Sequence, residues 1–142
     1  MSTITSFVSG HHAPGLLGTE VVKTENIIDL SITPSGTGDT VQCLNIPAGA
    51  FVTRVGLLVI TVEDSTLTCT VGDGVDPNGW DAAVNLESLG MTQNDLDAST
   101  DAYGEGKYYG SADTIDVVMS ANAGDTAKFV VWAEMRIIER RS

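Results

Sequence analysis

From Asn26 onward, apolar and polar residues alternate with a period of two, and Gly, Asp and Pro interrupt the alternation at short intervals. Successive side chains of a β-strand point to opposite faces, so this period describes strands with one face on a core and one in water. Residues 26–32 set Ile28, Leu30 and Ile32 against Asp29 and Ser31. After the turn Pro34-Ser35-Gly36-Thr37-Gly38, a second strand is expected over Thr40–Ile46. Residues 66–71 place Leu67, Cys69 and Val71 opposite three threonines, and residues 114–119 align Ile115, Val117 and Met119. Residues 125–138 put Ala127, Phe129, Val131, Ala133, Met135 and Ile137 on one side, with Lys128, Glu134 and Arg136 on the other. Beyond residue 24 no helical period is sustained, except for a turn or two expected around residues 80–86. The predicted fold is all-β: an antiparallel β-sandwich, jelly-roll-like, with an extended N-terminal arm.

Gly38-Asp39-Thr40, Ala112-Asp113-Thr114 and Gly124-Asp125-Thr126 each precede a strand. A small residue permits the bend and the Asp bonds the local backbone, so these are turns rather than an internal repeat. With 142 residues, 42% of them hydrophobic, there is room for one self-sufficient core. The expected division is an arm over residues 1–24 and a sandwich over residues 25–142.

The strand expected over residues 51–63 departs from simple alternation. Phe51, Val55, Leu57 and Val59 share one face, yet Val52, Leu58, Ile60 and Val62 make the other face apolar too. An antiparallel strand ordinarily keeps one side wet. The second face therefore needs cover from a long loop of the same chain or from another subunit; the subunit is favoured, and Val52, Leu58, Ile60 and Val62 are the candidate oligomer interface. The arm reads either as a frayed terminus or as a docking segment, being too apolar for a purely solvated tail. Its Phe7, Val8, Leu16 and Leu17 are candidates for burial on assembly, against a capsid or an adjacent subunit.

The formal charge is −12, and between Glu63 and Asp116 the only base is Lys107. Lys128, Arg136, Arg140 and Arg141 gather toward the C-terminus. The acidity reads first as solubility and mutual repulsion between copies, and alternatively as two ends of a charge distribution that face different neighbours. Such an acidic surface repels phosphate backbones, and no nucleic-acid partner is expected. Residues 1–10 have neither a basic start nor a continuous apolar stretch, and residues 55–62 are too few to span a bilayer. Neither a secretory signal nor a membrane partner is expected. Cys43 and Cys69 sit among apolar neighbours and read as buried free thiols, in keeping with assembly in a reducing host cytoplasm. A bridge between adjacent strands is the alternative.

Little in the sequence points to catalysis. His11 and His12 are adjacent, and next-door residues of an extended chain point opposite ways, so they cannot jointly grip a metal. No nucleophile elbow, phosphate-cradling loop or Cys/His cluster is present. The predictions are no catalytic residues, no cofactor and no metal. Asp73, Asp76 and Asn78 raise calcium, but EF-hand ligand order is absent and the dipeptides are ordinary tight-turn pairs. Trp80, Tyr103, Tyr108 and Tyr109 could stack sugars or could pin long loops to the sandwich.

Four stretches carry a resemblance. They are Asn45-Ile46-Pro47-Ala48-Gly49-Ala50-Phe51-Val52, Val71-Gly72-Asp73-Gly74, Tyr103-Gly104-Glu105-Gly106-Lys107-Tyr108-Tyr109 and Gly124-Asp125-Thr126-Ala127-Lys128-Phe129. In this order, spread through residues 25–138, they resemble the small virion proteins of tailed bacteriophages. The resemblance implies a head decoration (cement) protein. Such a protein is a commonly trimeric sandwich that clamps the major capsid protein from outside, on the capsid surface of the virion. No family contact motif is present, so no binding residue carries over. A tail or head-fibre structural protein and a carbohydrate-binding β-sandwich module are the alternatives.

Overall fold

A computed structural model describes residues 21–95, 100–120 and 122–138. Nine strands form in chain order: β1 (Val21–Asp29), β2 (Thr40–Ile46), β3 (Ala50–Thr61), β4 (Thr68–Gly72), β5 (Asp81–Asn85), β6 (Gly90–Gln93), β7 (Lys107–Tyr109), β8 (Asp113–Ser120) and β9 (Lys128–Ile137). One sheet has the order β1-β9-β3-β6, with β7 also on β3, and the other the order β2-β8-β4-β5. All pairings are antiparallel. The chain passes repeatedly from one sheet to the other, and the two inner faces meet in a single apolar core. Each large apolar side chain buried there contributes roughly 1.5–3 kcal/mol.

Of the alternating residues that the sequence singles out, those on β4, β8 and β9 are buried, except for half-buried Ile137. The expectation for β3 fails at Val52, which belongs to the core and not to any interface. A β-bulge between Val52 and Arg54 inserts one residue into the pairing with β9. The bulge resets the parity, so Val52 joins Val55, Leu57 and Val59 on the inner face. A similar irregularity between Gln42 and Leu44 lets the adjacent residues Cys43 and Leu44 both be buried.

β1 starts at Val21, inside the segment expected to be an arm. The chain turns immediately after β1, where Asp29 accepts hydrogen bonds from the backbone of Ile32 and Ser31. That turn throws Ile32 into solvent instead of onto the inner face. The helical turn expected around residues 80–86 is instead β5, and Trp80, Val84 and Leu86 point inward with a period of two. The turn before β3 needs a glycine: Gly49 has φ +87° while Ala50 N–H bonds back to Pro47.

Cys43 and Cys69 are buried free thiols, on β2 and β4. β8 runs between those strands, so the alternative bridge between adjacent strands does not form. Burial, with Asp116 nearby, pushes the Cys43 thiol up to about 12, and burial raises Cys69 as well. Among the described residues, no helix is long and apolar enough to cross a membrane.

Candidate assembly surface

The outward face of the first sheet holds the candidate surface, and strand register builds it. Ile27 pairs with Val130, Val130 with Leu58, and Leu58 with Met91, so four apolar side chains form a row across β1, β9, β3 and β6. Ile27 is 57% exposed, Leu58 39% and Met91 59%. Ile60 and Leu89, which flank the Val59–Gly90 pair, and Val62 beyond them are exposed too. Of the expected interface residues, then, Leu58, Ile60 and Val62 are on the surface. The sequence reading missed Ile27 and Met91, which only cross-strand pairing brings alongside Leu58.

The row has sharp borders. On one side Asp29 pairs with Lys128. On the other, Trp132 lies over Gly56, where any Cβ would come within 2.3 Å of the indole, and the Lys23 ammonium sits 5.1 Å from the ring centroid. Further along come Lys23, Glu134 and Arg54 as cross-strand neighbours. The outward face of the second sheet is quite different. Thr68 and Ser120 share a 2.7 Å hydrogen bond, Thr70 and Thr40 flank Val118, and Asn45 pairs with Thr114. Hydroxyl and amide groups keep that face hydrated.

The distinctive loop after β4 forms a buried polar cluster. Asp73 is 2% exposed. Its Oδ1 accepts N–H bonds from Val75 and Asp76 at 2.9 Å and the Tyr103 hydroxyl at 3.2 Å. Its Oδ2 accepts the Lys107 ammonium at 2.6 Å and the Tyr109 hydroxyl at 2.8 Å. Trp80 Nε1 donates in turn to Tyr109 at 3.1 Å. Burial opposes the charge on Asp73, but Lys107, the backbone N–H of Asp76, Tyr109 and Val75 outweigh it and hold the carboxyl below its ordinary value. Every lone pair is occupied and a cation already sits beside the group, so Asp73 is not free to ligate calcium. Trp80 and Tyr109 are buried and only Tyr108 is well exposed, so these aromatics pin loops and offer no sugar-stacking platform.

Glu63, Asp64 and Asp125 place carboxylate oxygens within 4.8 Å of one another. Buried Glu63 already accepts N–H bonds from Asp125, Thr126 and Ala127, which tie the end of β3 to the start of β9. A hollow of about 300 Å³ is lined by Thr53, Arg54, Gly104 and Glu105, and the Thr53 hydroxyl donates to the backbone carbonyl of Glu134. Phe7, Val8, Leu16 and Leu17, with His11, His12, Arg140 and Arg141, lie outside the described residues.

No protein-family model matches the chain. Nor does any curated protein. Solved structures do match in fold. A chain of the cyanophage Pam1 capsid superposes with a TM-score of 0.65 at 18% identity, covering 88% of this chain and 91% of that one. A chain of the Ralstonia phage GP4 capsid gives 0.64 at 18%, covering 87% and 88%. A chain of the acid-stable capsid of Helicobacter pylori bacteriophage KHP30 gives 0.63 at 12%, covering 86% and 91%.

Proposed function

We propose that this chain is a non-enzymatic structural protein of a phage virion. In our reading it is a head decoration protein that binds the outside of the capsid, on the major capsid protein, and stabilises it as an oligomer. The observation that carries this reading is the nearly full-length likeness in fold to chains from three phage capsids. The two facing sheets, ordered β1-β9-β3-β6 and β2-β8-β4-β5, support reading the sandwich as a jelly roll, an architecture that capsid domains use. The row Ile27, Val130, Leu58 and Met91, which nothing among the described residues covers fully, supplies a surface whose burial favours association, and a trimer is the expected state. Full burial of Trp80 and Tyr109 counts against a sugar-binding module.

Co-sedimentation tests the reading. The purified protein should pellet with intact heads, raise the temperature at which they release DNA, and ignore isolated tails and immobilised glycans. Binding to tails or glycans alone would overturn it.

A further inference from the structure

We infer that the exposed row on the first sheet is the seat for residues 1–20 of a second copy of this chain, so that each copy gives an arm and receives one. This deepens the oligomeric reading above and rests on it. Two apolar elements occur in one chain. One is the row Ile27, Val130, Leu58 and Met91 with its exposed flank. The other is the stretch preceding Val21, which carries Phe7, Val8, Leu16 and Leu17, no Lys or Arg, and a single acid, Glu20. In a chain of formal charge −12, whose copies otherwise repel, a nearly uncharged segment is the part that can approach an apolar face without electrostatic penalty.

The exit point favours a neighbour's seat over the chain's own. β1 begins at Val21, level with Arg136 and Phe51, and the row lies at Ile27, about 20 Å along the strand. The N-terminal end of β1 at Val21 therefore points away from the row. Leu17 and Leu16 precede Val21 by four and five residues, and even fully extended they reach only about 14–18 Å from it. These two fall short of their own row, and only Phe7 and Val8, fourteen and thirteen residues before Val21, have the length to turn back to it, whereas a neighbour's row can take all four. Arm-to-face contact joins two different surfaces, and such a contact repeated by rotation closes into a ring, as a trimer requires.

Sedimentation equilibrium of three full-length proteins tests this. The wild type should be an oligomer. An arm variant, Leu16→Asp with Leu17→Asp, and a seat variant, Ile27→Asp with Met91→Asp, should each run at the single-chain mass of 14.9 kDa with an unchanged β circular dichroism spectrum. Mixed together, they retain one intact arm and one intact seat, so a two-chain species should appear. If the arm variant keeps the wild-type mass, or the mixture stays monomeric, the arm exchange is wrong while the oligomeric reading stands. A monomeric wild type at micromolar concentration would remove both. An arm variant that stays oligomeric but no longer pellets with heads would assign the arm to the capsid instead.

Discussion

Asp73 and the Leu58 row each invert the usual placement of charge outside and apolar groups inside, but among the described residues only the first inversion is resolved. At Asp73 a carboxylate is buried, and two backbone N–H groups, two tyrosines and a lysine satisfy it. At Leu58 apolar side chains are exposed, and nothing among the described residues covers them. The first inversion therefore serves folding, tying the loop after β4 to the segment ending in β7. The second adds nothing to the folded monomer and gains its free energy only when another surface arrives. An exception that the chain itself satisfies is structural, and one it leaves open is available for assembly.

Asp73→Asn strikes the resolved exception. It keeps the shape but leaves the Lys107 ammonium, largely buried, without its counter-charge. The expected loss is about 3 kcal/mol, read as a lower urea midpoint, with assembly unchanged where the protein is still folded. A midpoint equal to wild type would mean the cluster is dispensable.

Acid titration refines the same contrast. The folded-state values of Asp73 and Glu63 lie below their ordinary 3.8 and 4.5, so their stabilisation is complete above those values and is lost as pH falls through the depressed ones. Burial, partly offset by a hydrogen bond to each, raises Asp116 and Asp81, so their contribution lies on the acid side and fades as pH rises. Wild-type stability should peak just above the carboxylate range and fall below about pH 4. The gap between wild type and Asp73→Asn should narrow there. A gap constant from pH 7 to pH 2.5 would show that the Asp73 charge is not what matters.

The smallest effect on folding is expected from a matched pair on the two outward faces. Leu58→Asp and Thr70→Asp should each shift stability by about 1 kcal/mol or less, because both side chains reach solvent. Only Leu58→Asp should impair association, measured by light scattering. Equal association by both variants would remove the distinction between the faces.

The alternation after Asn26 was enough by itself to determine an all-β sandwich and most of its core, because side-chain direction along a strand is a local, two-residue property. It also pointed to Leu58, Ile60 and Val62, and it kept Cys43 and Cys69 inside. Only the tertiary structure decided the rest. Val52 changes faces because the pairing of β3 with β9 contains a bulge, and a bulge belongs to two strands at once. Asp73 finds its donors at Tyr103, Lys107 and Tyr109, some thirty residues away, so its saturation could not be read from an Asp-Gly turn. Ile27 and Met91 become neighbours of Leu58 through register alone. A strand's pattern says which way each side chain points, and only pairing between strands says what stands next to it.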